Sequence, residues 1–280
     1  MKTGLIMEGG AMRGMFTCGV IDVLMEQGIA FDGAGGISAG AVFGCNFKSR
    51  QIGRPIRYNK AYCHDPRYCS LRSWIKTGDL YGVDFCYREL PDVLDPFDRK
   101  AFRENPMPFY AGATDVRTGQ AVYHLCIDGG DRDMAWLRAS ASMPLASRVV
   151  KVDGLELLDG GIADATPYLY MEGLGYNRNV VILTQPAGYQ KKKSALTGLA
   201  LRKYPLLRQA MAARHERYNR HIAYIAQKER EGRALVIRPP QALGIRRTEH
   251  DPRQLERVCQ LGRAEALKRI GEIRAFLQSP

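Results

Sequence analysis

A serine between small residues near the N-terminus is the first candidate for covalent chemistry. Residues 36–40 read GISAG, which has the pattern G-x-S-x-G. In hydrolases with this pattern, the serine lies on a sharp turn between a strand and a helix, where its hydroxyl is exposed. A predicted strand ends at Gly36 and a predicted helix begins at Ala39, so the local context agrees. The pattern predicts Ser38 as a nucleophile on a turn that Gly36 and Gly40 make possible.

A glycine-rich loop precedes this serine along the chain. Residues 9–14 read GGAMRG and follow a short apolar segment that we predict to be a strand. A loop of this kind at the start of a helix presents consecutive backbone N–H groups, which stabilise an oxyanion. Alanine at position 11 argues against the dinucleotide motif G-x-G-x-x-G, and the lack of GK[ST] argues against a P-loop. The candidate oxyanion-hole residues are Gly9, Gly10, Ala11, Arg13 and Gly14.

A serine nucleophile also needs a base, and Asp159 is the strongest candidate. The sequence LLDGG at residues 157–161 places it at the end of a predicted strand, before a turn formed by Gly160 and Gly161. A second Asp-Gly-Gly begins at Asp128, but the charged residues after it indicate an exposed turn into a helix. Histidine is the usual base of a catalytic triad. We nevertheless predict structural or surface positions for all five histidines, which are His64, His124, His215, His221 and His250.

Alternating strands and helices around these motifs predict a parallel sheet covered by helices. We predict strands at residues 5–7, 31–36, 109–113, 121–127, 149–152, 155–158, 180–184 and 234–237. Predicted helices cover residues 15–27, 39–48, 70–75, 97–102 and 195–225, the last interrupted at Pro205, and a final helix begins near Asp251-Pro252. Residues 51–108, rich in Tyr, Arg, Pro and Asp, are interpreted as an insertion that forms a lid or one wall of a pocket.

Positive charge is concentrated in the last third of the chain. Residues 188–280 carry a net charge of +13 and residues 1–187 a net charge of −1, which together give the +12 of the chain. A basic segment on a neutral body favours contact with a polyanion, either an anionic membrane or a nucleic acid. The helix at residues 196–211 is interpreted either as an interfacial helix or as a helix packed on the core, and we favour the second. Tyrosines that could stack on bases recur at near-helical spacing, which is more typical of a core: Tyr189, Tyr204, Tyr218 and Tyr224.

The composition is that of a soluble globular protein with 280 residues. No apolar stretch approaches the roughly 20 residues that span a bilayer, and no signal-peptide pattern is visible. The seven cysteines are irregularly spaced without a CxxC motif, which favours a reduced compartment. We expect a cytoplasmic protein, with peripheral contact at the inner face of the membrane through its basic part. Cys63, His64 and Cys69 are the one local group that suggests a metal, and we favour ordinary thiols there.

Three motifs together resemble a known family. EGGAMRG at residues 8–14, GISAG at 36–40 and DGG at 159–161, in this order and spacing, are similar to the motifs of bacterial patatin-like phospholipases. Segments at residues 113–119, 138–144 and 162–167 add to the resemblance, which covers roughly residues 4–187. It implies a three-layer αβα fold with a mainly parallel central sheet. It also implies a catalytic domain at residues 1–187 and a basic, mostly helical C-terminal extension at 188–280.

The resemblance further implies a Ser38–Asp159 dyad that hydrolyses phospholipid or other lipid esters without a metal or cofactor. Asp159 would take the proton from Ser38, which attacks the ester to form an acyl-enzyme, and backbone N–H groups near Gly10 would hold the oxyanion. Two residues depart from the family pattern. Glu8 stands where aspartate is common, and Ala11 replaces a glycine, which adds strain of about 1 kcal/mol if its φ is positive. The dyad also requires burial that raises the pKa of Asp159.

Two alternative functions remain at this point. An acyltransferase, or an esterase with a histidine-containing triad, would require an essential histidine, for which His215 and His221 are the candidates. A basic nucleic-acid- or membrane-binding protein that keeps a hydrolase shell is the non-enzymatic alternative. The intact serine, aspartate and glycine-loop motifs argue against it, and we do not expect nucleic acid as a partner.

Overall fold

The computed structural model describes residues 1–193 and 201–278, and within these residues the strands form one eight-stranded sheet with the order β5-β6-β3-β2-β1-β7-β8. Strand β4 pairs with β3 beside this path. The parallel pairs are β1–β2, β1–β7, β2–β3 and β7–β8, whereas β4, β5 and β6 pair antiparallel. The strands are β1 (Lys2–Met7), β2 (Gly33–Ile37), β3 (Phe109–Asp115), β4 (Ala121–Cys126), β5 (Val150–Val152), β6 (Leu155–Asp159), β7 (Tyr176–Ile182) and β8 (Ala234–Ile237).

Helices cover both faces of this sheet. They are α1 (Met15–Glu26), α2 (Ala39–Lys48), α3 (Arg54–Tyr62), α4 (Leu71–Thr77), α5 (Arg99–Glu104), α6 (Asp131–Ala141), α7 (Tyr168–Gly173), α8 (Pro205–Ala212), α9 (Arg214–Arg230), α10 (Pro252–Lys268) and α11 (Ile270–Gln278). A π-helix spans Phe85–Leu94, and short 3₁₀ turns span Ala11–Gly14 and Gly160–Ile162. None of the helices in these two ranges is long and apolar enough to cross a bilayer.

Side-chain alternation along the strands produces three layers. Leu5 and Met7 of β1 are buried in the core that contains α1, α2 and α10. Ile6, between them, is buried on the opposite face with Tyr168 of α7 and Ile225 of α9. Successive residues of a strand point to opposite faces, so a strand with a run of apolar residues needs helices on both sides. The predicted three-layer αβα fold with a mainly parallel sheet is confirmed.

The segment after residue 187 packs into the same body. Strand β8 extends the sheet beside β7, and α10 crosses α1 with the two backbones in contact. A Cβ on Gly19 would lie 1.9 Å from the carbonyl oxygen of Cys259, and a Cβ on Gly262 would lie 2.0 Å from that of Phe16. Only glycine allows this approach. The extension therefore adds a strand to the sheet and contributes a helix to each of its faces, α10 on the side of Leu5 and α9 on the side of Ile6.

Several boundaries differ from those predicted. The strand expected at residues 180–184 begins earlier, at Tyr176, because its first residues pair with β1. The final helix begins at Pro252 as predicted, with the Asp251 carboxylate accepting from the Arg253 N–H at 2.8 Å, but it breaks at Arg269 into α10 and α11. Residues 194–200 of the helix expected at 195–225 lie outside the described residues.

We interpreted the helix predicted at residues 196–211 as packed on the core. The part of it that the structure describes does pack there. Leu207 and Ala210 of α8 are buried against Leu158 and Ile162, which flank the Asp159 turn. Leu206, one residue away, is half exposed. The inward face of α8 thus supports the loop that carries the candidate base.

Candidate active site

Ser38 lies at the turn between β2 and α2 in a strained conformation, with φ of 54° and ψ of −122°. The turn is possible only because the residues two positions away on either side, Gly36 and Gly40, lack side chains. A Cβ on Gly36 would lie 2.2 Å from the carbonyl oxygen of Gly40, and a Cβ on Gly40 would lie 2.3 Å from that of Met7. Strain of this kind is concentrated at functional sites. The turn projects the Ser38 hydroxyl beyond the end of the sheet.

The Ser38 hydroxyl donates a hydrogen bond to Asp159. Oγ of Ser38 lies 2.7 Å from Oδ2 of Asp159, while the Gly161 N–H donates to Oδ1 at 2.7 Å. Asp159 reaches this position because β6 pairs antiparallel with β3, the neighbour of β2. A Cβ on Gly160 would lie 2.4 Å from the carbonyl oxygen of Gly112, so glycine is required where the chain turns away. The structure brings together the serine and the aspartate selected from the sequence.

Asp159 is almost completely buried, and burial raises its pKa above the usual aspartate value. The hydrogen bond from Ser38, the charge of Arg214, the Gly161 N–H and the charge of Lys191 act in the opposite direction without cancelling this effect. A carboxylate with a raised pKa is a stronger base, which is the property that proton transfer from an alcohol demands.

Ser140 on α6 holds the nucleophile turn in place, a role that the sequence analysis missed. Its Oγ accepts from the Ser38 N–H at 2.8 Å and donates to the carbonyl oxygen of Gly112 at 2.6 Å. Ser140 is fully buried. It belongs to residues 138–144, which contributed to the family resemblance, but nothing in that segment indicated which atoms the hydroxyl would bridge.

We expect Ser140→Ala to lower kcat by about 10- to 100-fold, because the Ser38 turn loses its anchor and the hydroxyl shifts away from Asp159. The variant also leaves the Ser38 N–H and the Gly112 carbonyl unpaired, which costs about 1–3 kcal/mol in the free energy of unfolding. Ester turnover and denaturant unfolding measure the two effects. Ser49→Ala is the matched control, since Ser49 is also buried and hydrogen-bonded, to Gln51 at 2.9 Å. An unchanged kcat for Ser140→Ala would contradict the positioning role.

The glycine loop packs beside the nucleophile, but its N–H groups are not all free. The Gly9 N–H donates to the carbonyl oxygen of Ala165 at 3.1 Å, and the Arg13 N–H donates to that of Gly10 at 3.2 Å. No residue of the described chain accepts from the N–H groups of Gly10 and Ala11. Of the candidates, Gly10 and Ala11 therefore have amides available for an oxyanion.

The remaining loop residues shape it through close contacts. A Cβ on Gly9 would lie 3.0 Å from that of Ser38, and a Cβ on Gly14 would lie 2.8 Å from that of Ala39. Ala11 has a φ of 50°. Because this φ is positive, alanine in place of the family's glycine adds strain of about 1 kcal/mol.

Glu8, the second departure from the family pattern, ties the loop to the C-terminal segment. Its Oε2 accepts from the Thr184 hydroxyl at 3.0 Å, and its Oε1 accepts from the hydroxyl of Tyr218 on α9 at 2.7 Å. The glutamate carboxylate is buried and joins the end of β1 to α9.

Two cavities meet at Ser38. The first, of about 130 Å³, is mainly apolar, and the insertion at residues 51–108 supplies much of its wall. The charged residues in this lining, Asp79 and Arg138, pair with each other at 3.5 Å. The second cavity, of about 290 Å³, adjoins Asp159 and receives residues from the C-terminal segment. Both are lined by Ala11, Ser38, Tyr81, Ala141, Met143 and Ser147.

The alternative acid–base and metal residues lie elsewhere. In the described part of the chain, no histidine lines either cavity. His221 contacts Asp164 at 3.1 Å, and His215 contacts the carbonyl oxygen of Ala212 at 3.0 Å. Asp128 accepts from the Gly130 N–H within its own turn. None of these side chains is positioned to take a proton from Ser38.

Within residues 1–193 and 201–278, one group of potential metal ligands occurs, and it is not the group considered from the sequence. His124, Cys126 and Asp133 have ligand-type atoms within 4.8 Å of one another. One oxygen of Asp133 contacts His124 at 2.8 Å, and the other accepts from three backbone N–H groups of residues 127–129. Both oxygens of the Asp133 carboxylate therefore have partners within the protein, and the contacts to residues 127–129 hold the turn before α6.

Comparisons with known proteins show which family the chain resembles. A family model described as "Patatin-like phospholipase" matches residues 5–171, and a second, described as "Domain of unknown function (DUF6363)", matches residues 204–278. An uncharacterised NTE family protein of Mycobacterium tuberculosis is 27% identical over 181 residues, covering 65% of this chain and 48% of the relative. A lysophospholipase of Aspergillus niger is 29% identical over 180 residues, covering 62% of this chain and 11% of the relative.

Among solved structures, human GIVD cytosolic phospholipase A2 in complex with methyl γ-linolenyl fluorophosphonate has a TM-score of 0.54 at 11% identity. The alignment covers 99% of this chain and 58% of that one, and it supports the fold alone. Because the first family model matches more than half of its residues, the chain belongs to the patatin-like phospholipase family. The chain spans about half the length of the mycobacterial relatives that it matches.

Proposed function

We propose that this chain is a serine lipid acyl hydrolase that cleaves carboxylic esters of phospholipids or lysophospholipids. The observation that carries the proposal is the 2.7 Å hydrogen bond from Ser38 Oγ to Asp159 Oδ2, at the junction of a mainly apolar cavity and a second cavity whose lining includes basic side chains. Such a junction suits an ester with a hydrocarbon chain on one side and a polar group on the other. Family membership and the likeness to a fungal lysophospholipase support the same reaction class.

In the proposed reaction, Asp159 removes the Ser38 proton as Oγ attacks the ester carbonyl carbon. The N–H groups of Gly10 and Ala11 stabilise the oxyanion, and one such donor is typically worth about 3–4 kcal/mol of the barrier. The tetrahedral intermediate expels the alcohol, which takes the proton from Asp159 and leaves an acyl-enzyme. Water attacks the acyl-enzyme with Asp159 again as base, releasing the fatty acid and restoring Ser38. These steps use only groups of this chain and water.

The C-terminal segment supports a lipid rather than a nucleic acid as the partner. Tyr218 is buried with its hydroxyl on Glu8, and Tyr189 packs edge-on against it at 6.0 Å between ring centroids. Tyr224 donates its hydroxyl to Glu172 at 2.6 Å. Aromatic rings held in this way are not platforms for stacked bases. The excess of basic residues instead favours peripheral contact with an anionic membrane from the cytoplasmic side.

The test uses the wild-type chain with p-nitrophenyl esters from acetyl to palmitoyl and with a fluorophosphonate probe. We expect the probe to label Ser38, as located by peptide mass spectrometry, and kcat/KM to rise with acyl length beyond acetyl as the apolar cavity fills. Analysis of the products for free fatty acid or for an acylated alcohol distinguishes hydrolysis from acyl transfer. Turnover without labelling at Ser38, or a label on another serine, would contradict the proposed nucleophile.

A further inference from the structure

The cavity next to Asp159 is strongly basic. Its lining contains four basic side chains, Arg13, Lys191, Arg214 and Arg247, and a single carboxylate, that of Asp159. Arg13 lies in the glycine loop, whereas the other three follow residue 187. The same cavity also contains Ser38, so whatever occupies it lies beside the reacting ester.

The four cations have few partners among the described residues. Arg214 donates through Nε to the carbonyl oxygen of Gly161 at 2.6 Å, and Lys191 Nζ lies 4.3 Å from the centre of the Tyr218 ring. Nε of Arg13 is buried without a hydrogen-bond partner among the described residues. Arg247 is exposed at the cavity, and no carboxylate of residues 1–193 and 201–278 forms an ion pair with any of the four. Most buried polar groups have a partner, and the Arg13 Nε–H can donate to an acceptor that binds in this cavity.

The pKa shifts of Lys191 and Arg214 agree with an excess of positive charge in this cavity. Burial and the nearby charge of Arg214 lower the pKa of Lys191 to about 8, with Glu8 acting in the opposite direction and Arg13 and Arg247 adding to the lowering. Burial also lowers the pKa of Arg214, opposed by Asp159 and reinforced by Arg247 and Arg13. Four positive charges held close to only two carboxylates, those of Glu8 and Asp159, repel one another. A bound anion would remove this repulsion.

We propose that these four side chains bind the phosphate of a lipid headgroup that carries no compensating cation, such as a 1-acylglycerol 3-phosphate. This inference rests on the proposed ester hydrolysis and specifies its substrate. Guanidinium groups bind phosphate oxygens in pairs, and lysine adds a point charge. A glycerol phosphate places its phosphate a few bonds from the acyl ester, which fits a basic cavity that shares Ser38 with an apolar one.

The arrangement assigns a role to the C-terminal segment. Ser38 and Asp159 precede residue 187, whereas Lys191, Arg214 and Arg247 follow it. The first part of the chain therefore supplies the reacting groups, and the second part selects the headgroup. Because Arg214 also bonds to the Asp159 turn, Lys191 and Arg247 are the better residues for a test of headgroup selection.

The test compares kcat/KM on 1-oleoylglycerol 3-phosphate with kcat/KM on uncharged 1-oleoylglycerol, both below their critical micelle concentrations. The double variant Lys191→Gln, Arg247→Gln is paired with the control Lys192→Gln, Arg246→Gln. The control removes the same charge from neighbouring exposed residues that do not line the cavity. We expect wild type and the control to prefer the phosphate ester, and the double variant to lose at least about 30-fold of this preference, since two charge-assisted bonds are removed.

Binding is measured separately with Ser38→Ala added to each protein, by calorimetric titration of 1-oleoylglycerol 3-phosphate and of inorganic phosphate. The headgroup site is supported if the lipid binds more tightly than inorganic phosphate and if this binding is weakened only in the Lys191/Arg247 variant. This result would support the site even if the wild type did not turn over the ester; in that case only the proposal of ester hydrolysis would be wrong. Equal binding of inorganic phosphate and the lipid would assign the cavity to a free anion and overturn the proposal. Equal turnover of the two esters by wild type, with no change in either double variant, would overturn it while leaving the hydrolase proposal intact.

Discussion

Ser38→Ala is expected to lower kcat for ester hydrolysis by about 10⁵-fold or more, which is the scale of removing a nucleophile from a covalent mechanism. Alanine keeps the Cβ of Ser38 and removes only the oxygen that contacts Asp159 at 2.7 Å. The strained turn is therefore retained, and the loss arises in the chemical step. Steady-state turnover of a p-nitrophenyl ester and fluorophosphonate labelling measure the effect, and circular dichroism checks that the fold is unchanged.

Ser147→Ala is the matched control for this variant. Ser147 also lines both cavities, but it makes no hydrogen bond with the candidate dyad in the described structure. We expect this control to keep the fluorophosphonate label on Ser38. Turnover by Ser38→Ala within tenfold of wild type would show that another group attacks the ester, and transfer of the label to Ser147 would identify that group.

The second large effect is expected for Asp159→Asn, which should lower kcat by about 10³- to 10⁴-fold by analogy with replacement of a triad aspartate. Asparagine has the same shape and can still accept from the Gly161 N–H, but it cannot take the proton of Ser38. In wild type, activity should fall as the pH drops through the pKa of Asp159. Because burial raises this pKa, the loss occurs above the usual aspartate range. The residual activity of the variant should lack this acidic limb.

Stability should change in the opposite direction to activity. A carboxyl whose pKa is higher in the folded than in the unfolded state binds protons more strongly when folded, so the ionised Asp159 destabilises the fold at neutral pH. Asp159→Asn should therefore raise the melting temperature at pH 7, and the gain should disappear as the pH falls to where aspartate is protonated in both states. Thermal unfolding at several pH values measures this. Asp128→Asn is the control, since Asp128 stabilises only its own turn.

For the activity of Asp159→Asn, a kcat near that of wild type would show that a group other than Asp159 takes the proton from Ser38.

Much of the candidate site was predictable because it depends on local backbone chemistry. The glycines at 36 and 40 follow from the sharp turn that exposes Ser38, since any Cβ there meets backbone atoms within 2.3 Å. The strand at Ala234–Ile237 and the helix start at Pro252 agree with short runs of apolar residues and a capping aspartate. Patterns of this kind involve residues that are close along the chain.

The sequence by itself determined the candidate nucleophile, the glycine loop and the layered fold, because turn geometry and side-chain alternation are encoded over a few residues. Only the tertiary structure placed Asp159, 121 residues away, within 2.7 Å of Ser38. The tertiary structure also places the Ser140 hydroxyl between the Ser38 N–H and the Gly112 carbonyl oxygen, and it gives Ala11 its positive φ. The cluster of Arg13 with Lys191, Arg214 and Arg247 arises because α9 and the segment before α10 pack against the carboxyl end of the sheet. Distances between residues far apart in sequence depend on how strands pair and helices pack, which no local pattern specifies.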